Sequence, residues 1–342
     1  MKPLVKKKFP LISVVIPIRN EEKYIIQCLE NVRKQDYPKE KMEILVIDGM
    51  STDKSREEID EFHKKNPDFN VLIISNPKIE RFPAMNIGIK KSNGDIVMRI
   101  DARTVIPKNY IKTCLKDLEK TGADNVGGIQ KPKSTTLTQK AIGIAMSHPF
   151  GVGNAQFRLG KKSGFVNSAY LGFFRKEIFK KVGLFDESSG MITEDSDINF
   201  RIRKAGGKVY LNRNNFAYYY PRDSLRGLWS LYFRYGGGRA GYFYKHKNLQ
   251  LRQTIPLLFL LSLGVSIIFS FFFDFFIFVL IAILIPYILA DLFFSITCSI
   301  KHSSIKIFFK LLIIFPLMHF SWAFGFFKRL LQGPKKTDYW KN

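Results

Sequence analysis

The chain has 342 residues, 46% of them hydrophobic, and a formal net charge of +25 at pH 7. This length accommodates one α/β catalytic domain of roughly 200–250 residues with an appendage. The charge favours anionic partners such as nucleotide diphosphates, nucleic acid or acidic lipid headgroups. The cysteines Cys28, Cys114 and Cys298 are widely spaced, which argues against a disulfide framework or a zinc site and fits a reducing compartment.

Up to about residue 220, short apolar runs alternate with stretches whose apolar residues recur at helical spacing. This alternation predicts a parallel sheet covered by helices, a Rossmann-like α/β domain. Pro17 and Arg19 interrupt the first apolar run, so we interpret it as a buried strand and not as an export signal. The predicted strands are Ile12–Ile18, Met42–Asp48, Val71–Ser75, Asp95–Asp101, Asn125–Gln130 and Ala169–Phe174. The predicted helices are Glu22–Lys34, Asp53–Lys65, Pro83–Lys91 and Pro107–Lys120.

Three long apolar runs follow residue 250, namely Ile255–Phe273, Phe275–Thr297 and Ile305–Phe327. Each approaches the ~20 residues that cross a bilayer, so we predict two or three transmembrane spans within residues 251–328. Three spans starting from a cytoplasmic domain would place the basic tail, residues 329–342, on the outer side, against the positive-inside tendency. Either the third run is a re-entrant or interfacial segment, or the chain departs from that tendency.

Aromatic and basic side chains are mixed in the stretch Ser224–Lys247. Such a mixture suits an amphipathic segment that lies in the headgroup layer of a membrane, and we assign residues 224–250 to it. A helix that packs under the catalytic domain is the alternative. The glycines at 236, 237 and 238 are expected to break any single helix here, because glycine is a poor helix former.

Acidic residues follow several predicted strands, at the edge where open α/β sheets bind their ligands. The first strand runs into Arg19–Glu22, the second ends at Asp48 and the fourth ends at Asp101. An acid after a strand is often a helix cap or a turn residue, and we interpret Asp53 as such a cap. Another acidic cluster, Glu194–Asp197, begins a predicted helix.

Five motifs occur in order between residues 12 and 220: SVVIPIRNE, ILVIDGMSTD, AMNIGIKKSNGDIV, RIDART and TEDSDINFRIRKAG. Together they resemble the family 2 glycosyltransferases of the GT-A fold. Within that family, GVGNAQFR, YLGFFRKEIF and the apolar tail resemble the membrane-anchored enzymes that build succinoglycan-type exopolysaccharides. The resemblance implies a GT-A domain over residues 1–223 and a multi-pass membrane enzyme whose catalytic domain is cytoplasmic. It implies inverting transfer of a sugar from a nucleotide-sugar, a UDP-sugar, to a saccharide or polyprenyl-linked acceptor in cell-surface polysaccharide synthesis.

The resemblance also assigns donor-binding residues. The nucleobase and ribose pocket would be lined by Pro17, Arg19, Asn20, Glu21 and Asp48. Asn86 would face the nucleotide from the helix that Pro83 opens, and a simple surface amide is the alternative for it.

The family's D-x-D element, which holds the diphosphate and a divalent cation, corresponds to Asp101-Ala102-Arg103. Arg103 replaces the second acid of that element. Asp101 could hold Mg²⁺ or Mn²⁺ together with phosphate oxygens and water. Alternatively, Arg103 could pair with the diphosphate directly. We expect the metal-assisted site.

Inverting transfer needs a base opposite the leaving diphosphate. By resemblance to the family's T-E-D motif, Asp195 is that base, and Glu194 beside it orients the acceptor or holds a loop. A purely capping role is the alternative for these acids, since acids in a first helical turn are favourable in any case. Asp197 is interpreted as a capping or structural residue.

Arg234 and Arg239 are candidates for binding the diphosphate or the acceptor, and membrane binding is their alternative. They lie where processive family members carry Q-x-x-R-W, and the absence of that motif argues against a processive synthase.

Three other functions compete with the main interpretation. Transfer to polyprenyl phosphate itself would use the same first motifs. An inactive scaffold of a polysaccharide assembly complex is indicated by Arg103 alone and is opposed by the presence of Asp48, Asp101 and Asp195. Nucleic-acid binding is indicated only by the net charge, and no recognition motif supports it.

Overall fold

The computed structural model describes residues 9–187, 194–248 and 251–333. Residues 191–193 of the predicted T-E-D region and residues 334–342 of the predicted basic tail lie outside this part. The described chain forms two compact units. One comprises residues 9–131, 156–187 and 194–219, and the other comprises residues 132–155, 220–248 and 251–333. Residues 132–155 lie inside the predicted first domain but cluster with the second unit. The predicted domain boundary at residue 223 stays a prediction.

The described residues contain nine strands, which form one sheet in the order β3-β2-β1-β4-β8-β6-β9-β5, with β7 paired to β9. These are β1 Ile12–Ile18, β2 Met42–Asp48, β3 Val71–Ser75, β4 Ile96–Arg99, β5 Thr104–Val105, β6 Asn125–Pro132, β7 Gly164–Phe165, β8 Tyr170–Arg175 and β9 Val209–Tyr219. The prediction of a parallel sheet is wrong for half of it: β3, β2, β1 and β4 run parallel, whereas β8 is antiparallel to both β4 and β6.

The helices that flank or join these strands in the first unit are α1 Ile25–Arg33, α2 Ser55–Lys65, α3 Arg81–Lys91, α4 Tyr110–Thr121, α7 Gln156–Leu159, α8 Ile178–Val182 and α9 Glu194–Lys204. The second unit contains α5 Leu137–Ala145, α6 Pro149–Val152, α10 Leu225–His246, α11 Leu251–Ser270, α12 Phe275–Lys301 and α13 Ile305–Gln332.

The sheet has a separate apolar core on each face because successive strand residues point to opposite sides. Val14 and Ile16 of β1 pack in one core with Leu29 of α1. Val15, between them, packs in the other core with Met85 of α3. The apolar runs that predict the strands are therefore continuous because both faces are covered.

Helix α10 is continuous from Leu225 to His246, so the predicted break at the three glycines is wrong. The glycines are buried where α10 packs on α13. A Cβ atom at Gly236 would overlap the carbonyl oxygen of Trp322, and one at Gly325 would overlap that of Phe233. The two backbones touch at this crossing, as small residues allow in membrane helix pairs.

Three helices are long and apolar enough to cross a membrane: Gln253–Ser270, Phe275–Lys301 and Ile305–Gln332. Large apolar side chains are exposed on these helices and also in the turn between α11 and α12, where Phe271 and Phe272 lie. These features indicate membrane association, because soluble proteins rarely expose so large an apolar surface. Since α13 is one uninterrupted helix, a re-entrant loop does not describe the third run.

Candidate active site

The loops after β1 and β2 are bonded to each other. The backbone N–H of Asn20 donates to Ser51 Oγ at 2.9 Å, and the Thr52 N–H donates to Asn20 Oδ1 at 2.8 Å. Asn20 adopts a φ of 53°, a left-handed conformation that asparagine tolerates better than most residues. Of the predicted donor-binding residues around it, Arg19 is exposed and Pro17 is half-buried. Asn20 thus shapes the loop with its side chain and backbone.

Asp53 accepts from the Ser55 N–H at 3.0 Å, two residues on, which is an Asx-type turn. The N-cap residue of α2 is Lys54, so the predicted role of Asp53 as the helix cap is wrong. The other carboxylate oxygen of Asp53 accepts from the Glu22 N–H at 3.1 Å, so the same side chain also ties the two loops together.

Asp48 lies at the end of β2 and is fully buried. One carboxylate oxygen accepts from the Ser51 N–H at 3.1 Å, and the other accepts from Arg56 Nη1 at 3.0 Å. The half-exposed Arg56 offsets the charge of this carboxylate. These two bonds hold the Asp48 carboxylate in a preset orientation at the carboxyl end of β2, where the donor is expected.

The structure gives Asn86 a different role from the predicted one. Its side chain is buried, donates from Nδ2 to the Phe185 carbonyl at 2.8 Å and accepts from the Phe185 N–H at 2.9 Å. Nδ2 also donates to Glu187 Oε1 at 2.7 Å. Asn86 is therefore neither a surface amide nor a group available to the nucleotide, because the protein's own chain occupies its amide.

Arg99, at the end of β4, joins the predicted donor-side acid to the predicted base. Its Nε and Nη2 donate to the two oxygens of Asp101 at 2.9 and 3.4 Å. Its Nη1 donates to Glu194 Oε1 at 3.2 Å and to Asp195 Oδ1 at 2.6 Å. Arg81 at the start of α3 approaches Glu194 Oε1 at 3.5 Å. Three acids from two distant parts of the sequence thus lie around Arg99, and Arg81 approaches one of them.

Burial and charge set the protonation of these acids. Burial raises the pKa of Glu194 to about 7, and the neighbouring charge of Asp195 acts in the same direction. Burial also raises the pKa of Asp195, although the charge of Arg99 opposes that shift. Burial also acts to raise the pKa of Asp101, but the charges of Arg99 and Arg81 and the Arg99 hydrogen bond together outweigh burial and lower it. The site thus combines Asp101, whose pKa is lowered, with Glu194 and Asp195, whose pKa values are raised, a separation of pKa values that is typical of acid–base sites.

Arg103 does not approach Asp101 through any bond that the structure describes. Its Nε donates to Glu21 Oε2 at 2.9 Å and to Glu21 Oε1 at 3.2 Å, and its guanidinium lies 4.8 Å from the centre of the Tyr24 ring. Arg103, which replaces the second acid of the family's D-x-D element, therefore contacts Glu21 of the predicted nucleobase and ribose pocket. Contact between Arg103 and a diphosphate stays a prediction.

Arg234 and Arg239 lie on α10, in the second unit, and are half-buried. Arg234 Nε donates to the Ser230 carbonyl at 3.2 Å, and the Arg239 guanidinium lies 4.9 Å from the centre of the Tyr242 ring. Their predicted role at the diphosphate or acceptor stays a prediction.

Sequence reasoning missed Arg99 and Arg81. A signal for Arg99 was present, because an arginine inside the buried run Ile96-Val97-Met98-Arg99 must find acids or pay a large desolvation cost. Arg99 and Asp101 are two residues apart, so along a strand they point to the same side.

The fit of these residues to a divalent cation is limited. No group of three His, Cys, Asp or Glu side chains that could hold a metal occurs in the described part of the chain. Asp101 can offer a carboxylate, and Mg²⁺ often uses one or two carboxylates together with substrate phosphates. The protein alone thus provides one half of a cation site, and a nucleotide diphosphate would have to provide the other.

The profile of glycosyl transferase family 2 matches residues 13–183 of the chain. A glucuronosyltransferase of Methanococcus voltae that acts on dolichyl N-acetyl-alpha-D-glucosaminyl phosphate is 31% identical over 94% of this chain and 98% of its own length. This protein belongs to glycosyl transferase family 2. The family 2 glycosyltransferase is also 33% identical to the succinoglycan biosynthesis protein ExoA of Rhizobium meliloti, over 71% of this chain and 74% of that protein.

Its fold is shared with a solved mannosyltransferase of Pyrobaculum calidifontis in complex with GDP-Man and Mn²⁺. The TM-score is 0.62 at 17% identity, and the superposition covers 95% of this chain and 88% of the mannosyltransferase. The predicted GT-A fold, glycosyltransferase activity and membership of family 2 are thereby confirmed.

Proposed function

We propose that this family 2 glycosyltransferase moves one sugar from a UDP-sugar to a hydroxyl of a lipid-linked saccharide at the cytoplasmic face of a membrane. The observation that carries the proposal is the meeting of Asp101 with Glu194 and Asp195 around Arg99, because it brings a donor-side acid and a base into one site. Membrane association is supported by the three long apolar helices. The Methanococcus relative, whose acceptor is a dolichyl-linked sugar, supports the acceptor class.

The transfer is a single displacement. Asp195 accepts the proton of the acceptor hydroxyl while that oxygen attacks the anomeric carbon from the side opposite the diphosphate. The bond between the anomeric carbon and the phosphate oxygen breaks, and the nucleoside diphosphate leaves with the electron pair, so the configuration inverts. Glu194 orients the acceptor.

Asp48, Glu21 and the loop around Asn20 hold the nucleobase and ribose of the donor in this proposal, with Pro17 and Arg19 beside them. A divalent cation, when bound with the donor, would be held by Asp101 and phosphate oxygens and would offset the charge on the leaving diphosphate. Arg103 acts through its ion pair with Glu21, and Arg234 and Arg239 remain candidates for the diphosphate or the acceptor.

The experiment is release of nucleoside diphosphate by detergent-purified protein from UDP-, GDP- and dTDP-sugars, with Mg²⁺, Mn²⁺ or chelator. Each donor is supplied with polyprenyl-linked saccharide or with bare polyprenyl phosphate. We expect turnover with a UDP-sugar and the linked saccharide only. Turnover on bare polyprenyl phosphate would show that polyprenyl phosphate itself is the acceptor and would overturn the proposed acceptor class. No turnover with any donor would favour an inactive scaffold.

A further inference from the structure

Arg99 is a buried cation that contacts three carboxylates at once. Its side chain is only 4% exposed, whereas that of Arg81 is 45% exposed. One edge of the guanidinium, Nε with Nη2, faces the Asp101 carboxylate, and Nη1 divides its two hydrogens between Glu194 and Asp195. A planar fork of five N–H groups is required for this arrangement, and the single nitrogen of a lysine does not provide it.

The burial of Arg99 and the closeness of the acids depend on each other. A buried arginine is costly unless carboxylates pair with it. Three carboxylates this close together, of which Glu194 is buried and Asp101 and Asp195 are partly exposed, would in turn repel one another without a fixed cation. Arg81 does not substitute, because its described bond in this cluster is a single contact of 3.5 Å to Glu194.

We propose that Arg99 is the positioning residue of the transfer reaction, holding the base Asp195 and the donor-side acid Asp101 at one fixed separation before either substrate binds. This inference rests on the proposed function, since it takes Asp195 as the base. The reaction requires the acceptor oxygen and the anomeric carbon to meet in line, and the two acids belong to opposite partners of that encounter. In the part of the chain that the structure describes, Arg99 donates hydrogen bonds to both Asp101 and Asp195.

The test compares Arg99→Ala and Arg99→Lys in detergent-purified full-length protein, with turnover expressed per folded molecule. A misplacement of about 1 Å in such a site costs on the order of 100-fold, so we expect a loss of that size in kcat for Arg99→Ala. Arg99→Lys keeps the positive charge but not the planar fork of N–H groups, and we expect it to lose most of the wild-type kcat as well. Millimolar guanidinium should restore part of the turnover of Arg99→Ala, and ammonium at the same concentration should not.

Arg175→Ala is the matched control. Arg175 is similarly buried, but its guanidinium donates to the carbonyls of Ala123 and Leu118 at 3.0 and 2.9 Å, and no described bond joins it to Asp101, Glu194 or Asp195. We expect this variant to melt at a lower temperature and to keep its turnover per folded molecule, with no gain from guanidinium.

Each outcome decides one of two claims. If the wild type has no donor turnover, the proposed function fails and this inference fails with it. If the wild type is active and Asp195→Asn is not, the proposed function stands, and wild-type kcat in folded Arg99→Ala overturns the inference alone. Should Arg99→Ala not fold, Arg99→Lys decides: wild-type kcat overturns the inference, and a loss that the melting temperature does not explain supports it.

Discussion

The crossing of α10 and α13 leads to a stability prediction that local sequence does not. Replacing Gly236 by alanine adds one methyl group where the Trp322 carbonyl oxygen already lies, with the Phe326 backbone nitrogen 2.8 Å away. Backbone atoms of a packed helix cannot rotate aside as a side chain can. The helices must therefore separate along the contact.

The magnitude follows from two opposing effects. Overpacking typically costs 1–3 kcal/mol, so we take about 2–3 kcal/mol for a clash with backbone. Alanine is favoured over glycine in a helix by roughly 1 kcal/mol. The net loss is then about 1–2 kcal/mol, which corresponds to a fall of roughly 1–3 °C in Tm for a chain of 342 residues, at about 2.1 cal/mol/K of unfolding entropy per residue.

The assay is thermal unfolding of Gly236→Ala in detergent, followed by the loss of the monodisperse peak in size-exclusion chromatography. Gly264→Ala is the matched control, since a Cβ atom at this position of α11 has no described heavy atom within 4 Å. We expect Gly236→Ala to melt below the wild type and Gly264→Ala to melt at or above it. A Gly236→Ala protein as stable as the control would refute the close crossing.

Three further predictions concern the site. Burial raises the pKa of Glu194 to about 7, so its carboxylate, which orients the acceptor in our proposal, is charged mainly above that pH. We therefore expect kcat/KM of the wild type to rise with pH through this range. Glu194→Gln should lose the rise near pH 7, and a rise that stays in place would show that another group causes it. Asn86→Ala should lower Tm, because it leaves both backbone groups of Phe185 unpaired at a cost of about 1–3 kcal/mol each. Donor affinity, measured by calorimetry below Tm, should be unchanged. Weaker donor binding with an unchanged Tm would instead support a contact between Asn86 and the nucleotide. Arg103→Asp restores the second acid of the family motif, so turnover should saturate at a lower Mn²⁺ concentration, and an unchanged metal titration would show that residue 103 does not face the cation.

The parallel half of the sheet was predictable because each strand is a continuous apolar run between polar or turn residues. The predicted bounds of β1, β2 and β3 agree with the structure at both ends. β9 was missed, since its Asn212, Asn214 and Asn215 interrupt the alternation that marks a strand. Its antiparallel pairing with β5 and β7 joins residues far apart in the chain, which no local pattern records.

The glycines of α10 show the same limit in a helix. Taken alone, three successive glycines favour a break in a helix. This expectation is wrong because the backbone of α13 packs closely against α10 where the glycines have no side chain, and this packing stabilises the helix. The partner is about ninety residues further along the chain, so the reason for the glycines is not visible near them.

The sequence analysis named the three acids that the structure brings together, Asp101, Glu194 and Asp195, but not Arg99 and Arg81, which contact them. Asp48, Asp101 and Asp195 follow from strand ends and from the family motifs, whereas the bond between Arg99 and Asp195 spans 96 residues. The resemblance places Asn86 towards the nucleotide, on the helix that Pro83 opens. In the structure its side chain bonds Phe185, 99 residues away, and Glu187.

The central claim, that Asp195 is the base of an inverting transfer, is tested most directly by comparing Asp195→Asn with Asp197→Asn under the donor and acceptor that give turnover. Both substitutions replace a carboxylate by an amide in the first turn of α9, but Asp197 pairs with Arg201 at 2.8 Å. We expect Asp195→Asn to lose about 100- to 10,000-fold in nucleoside diphosphate release, as for other general bases, and Asp197→Asn to lose stability while keeping its turnover. Wild-type turnover in folded Asp195→Asn would contradict the account.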